Sequence, residues 1–240
     1  MTFRSICIAV YVFFYLIFTT PERIRLKKLE QTDPQKASHI AQKHVQKVFR
    51  HLLKISGVTI EVTGLENIPD EAALFVGNHS SYFDIIVTGA AIPGGVGFVA
   101  KDSLGNIPGL SSWMKRIHCL FLDRKDIRKG LQTILEGAEY LKEGYSMCIY
   151  PEGTRSTNGE LGEFKGGSLK MAQKAKAPIV PVAIRGTRDI FENNPGLRVC
   201  PSHVTISFGT PFKISELPAA EKKFAGEHAK QAIADMLAQQ

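Results

Sequence analysis

The chain has 240 residues, 44% of them hydrophobic and 22% charged, a composition that excludes a disordered, collagen-like or multi-span membrane protein. Its 30 lysines and arginines against 23 acidic residues give a formal net charge of +7, which indicates an anionic partner: nucleic acid, a membrane surface or a phosphorylated substrate. The whole excess lies in residues 1–56, because residues 57–240 hold equal numbers of basic and acidic side chains. The charge distribution therefore favours a membrane surface over nucleic acid as the partner of the N-terminal segment.

An unbroken apolar run opens the chain at residues 6–18, and a basic cluster follows it at residues 23–28. At ~1.5 Å per residue the uncharged stretch is shorter than a hydrocarbon core of about 30 Å, so it is a marginal membrane span. The basic cluster after the run predicts that the rest of the chain stays on the cytoplasmic side.

Residues 33–54 predict an amphipathic helix. Asp33 followed by Pro34 is a favourable helix start, and apolar residues then recur at helical spacing between lysines. Two interpretations are open: an interfacial helix whose apolar face enters the lipid headgroups, or a surface helix packed on its own domain. Next to the apolar run the first is favoured, which predicts residues 1–56 as a membrane-associating segment and residues 57–240 as an α/β domain.

Strands and helices alternate from Gly57 onward. Alternating or continuous apolar stretches predict strands at 58–62, 72–76, 96–100, 119–122, 147–150, 178–184 and 204–208. Helical spacing predicts helices at 84–91, near Trp113, and at 126–142, 167–174 and 215–237. Strands separated by helices of this length predict an α/β fold with a mixed, largely parallel sheet flanked by helices.

The strand at 72–76 runs into a polar turn that contains His79 and Asp84. A histidine can take a proton near neutral pH, and a carboxylate on its other ring nitrogen fixes the tautomer. Positions 79 and 84 do not share one helical face, so the two side chains can meet only if His79 lies in the turn and Asp84 in the first helical turn.

Basic and glycine-rich turns follow the other strands. Arg155 ends a turn with Glu152, Gly153 and Thr154, and its planar guanidinium suits a phosphate. Further candidates at strand or helix ends are Lys101, Arg124, Lys165 and Gly166. Since α/β folds place their chemistry where strands end, these turns together predict a phosphate-binding site with an acid/base histidine.

These motifs resemble the 1-acylglycerol-3-phosphate O-acyltransferases, within the glycerolipid acyltransferase family. Residues 78–84 match the family's N-H-x-x-x-x-D block, and Glu152, Gly153, Thr154 and Arg155 match its E-G-T-R block. The second block is matched by Phe121, Asp123 and Arg124, residues 164–167 precede a helix as in the family, and residues 179–182 resemble the fourth block. The resemblance implies a glycerol-3-phosphate acyltransferase-like fold.

The resemblance also implies roles for individual residues. His79 would take the proton from the free hydroxyl of lysophosphatidic acid as it attacks an acyl thioester, and Asp84 would orient His79. The acceptor phosphate would bind to Arg124, Glu152, Gly153, Thr154, Arg155 and Lys101. The acyl and acceptor pocket would include Phe121, Lys165, Gly166, Val180 and Pro181.

No resident cofactor is expected, because the acyl donor, acyl-CoA or an acyl carrier protein thioester, is a co-substrate. No metal is expected, because the sequence has no H-E-x-x-H motif or carboxylate cluster. The expected partners are lysophosphatidic acid, that donor and membrane lipids, without nucleic acid. A G-x-G-x-x-A match at residues 95–100 enters a strand instead of following one, which argues against a dinucleotide site. The motifs leave open an acyltransferase for another lysophospholipid or lyso-aminolipid. A third class is a non-enzymatic lipid-binding or nucleic-acid-binding protein, and the zero net charge of residues 57–240 argues against nucleic acid.

Overall fold

A computed structural model describes residues 2–123 and 126–240, without the side chain of Ile127. Over these residues seven strands form one sheet in the order β1-β7-β6-β2-β5-β3-β4. The strands are β1 (Thr59–Thr63), β2 (Leu74–Gly77), β3 (Gly97–Lys101), β4 (Leu120–Leu122), β5 (Met147–Ile149), β6 (Ile179–Arg185) and β7 (His203–Phe208). The β6–β7 pair is antiparallel and the other neighbouring pairs are parallel, which confirms the predicted mixed, largely parallel sheet.

Helices cover both faces of this sheet. They are α1 (Phe3–Phe18), α2 (Thr20–Leu29), α3 (Pro34–Ser56), α4 (Phe83–Ala91), α5 (Leu110–Arg116), α6 (Ile127–Lys142), α7 (Lys170–Ala175) and α8 (Ala225–Gln239). Side chains alternate across β2, so that Phe75 packs with buried residues of α2 to α5 while Leu74 and Val76 pack with α6, α7 and α8. Because β2 lies near the middle of the sheet, the turn that follows it emerges between these two cores.

Helix α3 packs on the protein itself, which corrects the favoured sequence interpretation. Its apolar residues Ala37, Ala41, Val45, Leu52 and Leu53 are buried. Ala41, Val45 and Leu53 belong to the core that packs on the sheet, so residues 1–56 share a core with residues 57–240. The prediction that the apolar face of α3 enters lipid is wrong. Helical periodicity indicates that one face of a helix is buried, but it does not show whether protein or lipid covers that face.

The apolar run forms α1, and the basic cluster forms α2, a helix that was not predicted. Helix α1 is fastened at both ends: Ser5 Oγ accepts a hydrogen bond from Val199 N at 3.0 Å, and Thr19 Oγ1 accepts one from Trp113 Nε1 at 3.1 Å. Its outer face remains open, with Phe3 82%, Phe13 61% and Phe18 72% exposed. Among the described helices none is long and apolar enough by itself to cross a bilayer, and α1 with α2, bent by 48°, reaches that length and composition only as a pair.

Two helix starts differ from prediction. Helix α8 begins at Ala225 instead of residue 215, after turns and one 3-10 turn at Lys222–Phe224. Pro218 lies in the intervening segment and cannot donate a helical hydrogen bond. Helix α7 begins at Lys170 because Gly167 adopts φ +94°, a conformation that a helix does not continue through.

Candidate active site

The side chains of His79 and Asp84 are in contact, as predicted from their positions in the turn after β2. The Nδ1 atom of His79 lies 2.9 Å from Oδ2 of Asp84. Since a carboxylate only accepts hydrogen bonds, Nδ1 carries the proton and Nε2 is the basic nitrogen. His79 lies in the turn and Asp84 in the first turn of α4, the arrangement that allows residues five apart to touch.

Asp84 is fully buried, and hydrogen bonds hold its carboxylate on both oxygens. Oδ2 accepts the backbone N–H groups of Ser80 and Ser81, each at 2.7 Å, in addition to His79. Oδ1 accepts the hydroxyl of Thr187 at 2.5 Å. A buried carboxylate is stable only when it is paired and hydrogen-bonded, so these contacts allow Asp84 to stay beneath the histidine.

The turn that carries His79 is fastened to two neighbouring strands. Asn78 exchanges two side-chain hydrogen bonds with the backbone of Ile184 in β6, at 2.8 and 2.9 Å. The ring of His79 stacks on Tyr150 after β5, with centroids 4.4 Å apart, and the Tyr150 hydroxyl lies 3.1 Å from Thr88 Oγ1. Rotation of the imidazole is therefore restricted by Asp84 on one ring atom and by Tyr150 on one face.

Glu152 belongs to the frame of the site. Its Oε1 accepts the N–H of His79 at 2.7 Å and its Oε2 accepts the N–H of Gly162 at 3.0 Å. Burial raises the pKa of this carboxyl group. Because both oxygens are engaged by backbone amides, the geometry assigns Glu152 to holding the turn at His79, in contrast to its predicted contact with phosphate.

Arg155 lies beside this turn with its guanidinium fixed in place. Its Cζ atom is 3.6 Å from the centroid of the Tyr82 ring, and one terminal nitrogen donates to Glu192 at 3.0 Å. Glu192 also accepts the Ser81 hydroxyl at 2.6 Å and the Tyr82 N–H at 2.9 Å. Stacking and one ion pair leave further N–H donors of Arg155 available for an anion.

A cavity of about 560 Å³ opens at His79 and Arg155. Most of its wall is apolar and comes from α3, α4, β3, α5 and the turns that flank α5: Phe49, Ile85, Ile86, Phe98, Leu104, Leu110, Met114 and Ile117. The predicted site residues Lys101, Gly153 and Thr154 line the same cavity. One cavity thus combines an apolar interior with a basic histidine and two cations, the usual composition of a site for an amphipathic anion.

The other predicted pocket residues lie elsewhere, which corrects the predicted wall. Val180 and Pro181 are buried in β6, where each pairs with a residue of β2, so their side chains pack in the sheet. Phe121 packs on Gly105 and faces a separate groove. Arg124, a predicted phosphate ligand, lies outside the described residues.

Lys165 and Gly166 line a second groove that adjoins the cavity. Gly153 has φ +71°, and a Cβ atom there would lie 2.7 Å from Nζ of Lys165. The positive φ favours a glycine at position 153, and the end of the Lys165 side chain packs against the open face of that glycine.

Sequence reasoning missed Thr187 and Glu192, which follow β6 and lie more than 100 residues from His79. No local pattern marks them, because their importance comes from β6 and β2 being neighbours in the sheet. The sequence did contain a signal for Tyr82 and the apolar residues of α4. They lie in or just after the His79 turn, and a site for an acyl chain needs apolar walls.

Replacing Thr187 by valine removes one hydrogen bond to Asp84 at nearly constant volume. We expect Thr187→Val to lower the free energy of unfolding by ~1–3 kcal/mol, because Oδ1 loses its partner in a buried place. Denaturant titration measures this, with Thr32→Val as the matched control, since the Thr32 hydroxyl is exposed and bonds only to Leu29 O. Equal stability of the two variants would contradict a structural role for the Thr187 hydroxyl.

Comparison with known proteins gives one consistent result. A family model described as Acyltransferase matches residues 59–185. A probable 1-acyl-sn-glycerol-3-phosphate acyltransferase of Mycoplasma pneumoniae is 30% identical over 198 residues, which cover 81% of this chain and 74% of that protein. The 1-acyl-sn-glycerol-3-phosphate acyltransferase of Saccharomyces cerevisiae is 34% identical over 163 residues, which cover 66% of this chain and 54% of that protein.

A solved structure agrees over nearly the whole length. The crystal structure of the 1-acyl-sn-glycerophosphate (LPA) acyltransferase PlsC from Thermotoga maritima superposes with a TM-score of 0.79 at 26% identity, covering 98% of this chain and 95% of that one. The resemblance inferred from the N-H-x-x-x-x-D and E-G-T-R turns is thus confirmed. This chain belongs to the acyltransferase family.

Proposed function

We propose that this protein transfers a fatty acyl group from an acyl thioester to the free hydroxyl of 1-acylglycerol-3-phosphate, giving phosphatidic acid. The observation that carries the proposal is the joint placement of His79, held by Asp84, and of Arg155 at one apolar cavity. The relatives named above act on this acceptor according to their names, and the T. maritima structure shares the fold over the same length.

The proton transfer follows from the tautomer of His79. Nε2 accepts the hydroxyl proton of the acceptor while the hydroxyl oxygen attacks the thioester carbonyl. Asp84 stabilises the imidazolium that forms, through its bond to Nδ1. As the new C–O ester bond forms and the C–S bond breaks, the proton passes from His79 to the departing thiolate.

Direct transfer needs no covalent intermediate with the enzyme. Ser80 and Ser81 bind through their backbone N–H groups to Asp84, and the Ser81 hydroxyl is engaged by Glu192. These contacts give the two serines of the turn a structural role, whereas His79 lines the cavity.

The acceptor's phosphate is proposed to bind at Arg155 and Lys101, both of which line the cavity with His79. Thr154 and the backbone at Gly153 complete this side of the wall. Arg124 remains a predicted ligand of the same phosphate. The apolar wall from α3, α4 and α5 would take acyl chain, because methylene groups gain about 0.8 kcal/mol each when they leave water.

The histidine is tested by His79→Ala. We expect kcat for acyl transfer to lysophosphatidic acid to fall by about 10²–10⁴-fold, because the proton acceptor is lost. Transfer is followed with a long-chain acyl thioester and lysophosphatidic acid, and His39→Ala, an exposed histidine of α3, serves as the control. Undiminished turnover in His79→Ala, with the fold intact by circular dichroism, would refute the mechanism.

The arginine is tested by Arg155→Ala. We expect the acceptor KM to rise by about 10–100-fold, which corresponds to the loss of the binding free energy of one charge-assisted hydrogen bond. The change in kcat should be smaller. The matched control is Arg198→Ala, which removes an exposed guanidinium that does not line the cavity. An acceptor KM equal to that of the control would remove Arg155 from the phosphate site.

We propose further that α1 lies in the membrane surface on the cytoplasmic side. Its outer face exposes Phe3, Phe13 and Phe18, while α2 exposes Arg25, Lys27 and Lys28 beside it. Aromatic side chains next to cations suit the boundary between acyl chains and anionic headgroups. The apolar cavity lies on the same side of the sheet as α1, since α3 and α5 contribute to both the core beneath α1 and the cavity wall.

Membrane binding is tested by Phe13→Asp/Phe18→Asp. Two charges on the outer face of α1 should reduce sedimentation of the protein with anionic phospholipid vesicles by about tenfold or more, since each charged side chain opposes burial in lipid. The control is Leu131→Asp/Leu135→Asp, two exposed leucines of α6 on the opposite face of the sheet. Equal sedimentation of both variants would place the contact surface elsewhere.

A further inference from the structure

A lysine-rich groove of about 520 Å³ lies beside the cavity that contains His79. Its wall comes from residues 164–170, from residues 222–227 and from Pro151, Gln173, Ile214 and Ala219. Lys165, Lys170, Lys222 and Lys223 line it together with a single carboxylate, that of Glu227. Residues that are far apart in sequence thus converge to give a concave surface with an excess of positive charge.

The four lysines of the groove form no ion pair with the described residues. Over the residues that the structure describes, every ion pair of a lysine involves Lys129, Lys142, Lys213 or Lys230, and none involves the four lysines of the groove. The ammonium of Lys223 lies 4.8 Å from the ring centroid of Phe224, whose side chain is 54% exposed. An exposed aromatic ring beside unpaired cations is suited to a ligand that has both an aromatic group and phosphates.

The groove and the cavity share a wall. Tyr150 and Gly153 line the cavity, whereas Pro151 between them lines the groove. Lys165 donates its backbone N–H to Pro151 O at 3.0 Å, and its ammonium passes the face of Gly153. A molecule bound in the groove would therefore have its other end within reach of the cavity.

We propose that this groove binds the nucleotide end of an acyl-CoA donor, with the phosphates on the lysines and the adenine on Phe224. The inference rests on the proposed function, since it supplies the thioester that the reaction consumes. Coenzyme A is anionic and polar at the end opposite its thioester, so this end cannot enter the apolar cavity. The groove offers the opposite charge at the cavity's edge and a volume in the range of small-molecule sites.

The groove and the apolar cavity lie on opposite faces of the sheet, in agreement with separate sites for the two ends of the donor. The groove is built on the face of the sheet covered by α7 and α8, whereas α1 and the apolar cavity belong to the other face. A water-soluble carrier would thus approach from the side away from the proposed membrane contact, and only its acyl end would pass the wall at Gly153.

The test compares three donors in two variants. Lys222→Gln/Lys223→Gln removes two charges of the groove, and Lys142→Gln/Lys176→Gln removes two exposed lysines outside it. Each protein is assayed with lysophosphatidic acid and one of three donors: acyl-CoA, acyl-pantetheine, which lacks the nucleotide, or an acyl carrier protein thioester. We expect the groove variant to raise the KM for acyl-CoA by about tenfold, with the KM for acyl-pantetheine and for the acceptor unchanged.

Three results would overturn the proposal. One is an acyl-CoA KM equal to that of the control variant. Another is an equal rise with acyl-pantetheine, which would mean a general disturbance of the site. The third is a defect confined to acyl carrier protein thioesters, which would make the groove a docking surface for an acidic protein.

A binding measurement separates this proposal from the proposed function. Coenzyme A is titrated into the full-length wild-type protein and into both variants by calorimetry, without turnover. Weakening of about tenfold in the groove variant alone supports the nucleotide site even if no acyl transfer is found with any thioester. Equal affinity in all three proteins refutes it even if transfer is normal.

Discussion

The buried carboxylate of Asp84 is the constraint on which the site depends. Taking a carboxylate out of water costs several kcal/mol, so it is tolerated only where donors surround it. Those donors come from the turn after β2 and from Thr187 after β6, which brings two segments distant in sequence to one point. Asn78 fastens the same two regions through the backbone of Ile184. The position of the His79 imidazole follows from this arrangement, because its Nδ1 atom is a further donor to the same carboxylate.

Two further carboxylates connect the loops around this centre. Glu152, after β5, accepts hydrogen bonds from the backbone N–H groups of His79 and Gly162, and so holds the His79 turn in place. Glu192 binds the turn at Ser81 and the guanidinium of Arg155, and so sets the distance between the base and the cation. In both cases an acidic residue beside the site holds other site residues in place. Both glutamates thus have partners within the protein, and the charge of Glu192 is paired with that of Arg155.

The sheet separates two environments. On one face α1 exposes aromatic side chains, and α3, α4 and α5 line the apolar cavity. On the other face α7 and α8 flank the lysine-rich groove. The segment at residues 150–153 forms the boundary, since Tyr150 and Gly153 line the cavity and Pro151 lines the groove. Such a division suits the proposed reaction of a lipid acceptor with acyl-CoA, because each substrate can remain in the medium where it is most stable.

The sequence by itself determined the sheet type, the positions of most strands, the His79–Asp84 pair and the Arg155 turn, because these depend on periodicity and on residues near one another in the chain. Only the tertiary structure decided what covers an apolar face: α3 packs on the protein, whereas α1 keeps its outer face exposed. It also decided that Val180 and Pro181 pack within the sheet and that Thr187 and Glu192 belong to the site. Local pattern shows that a side chain is apolar or charged, but the partner that it meets is set by the order of strands in the sheet.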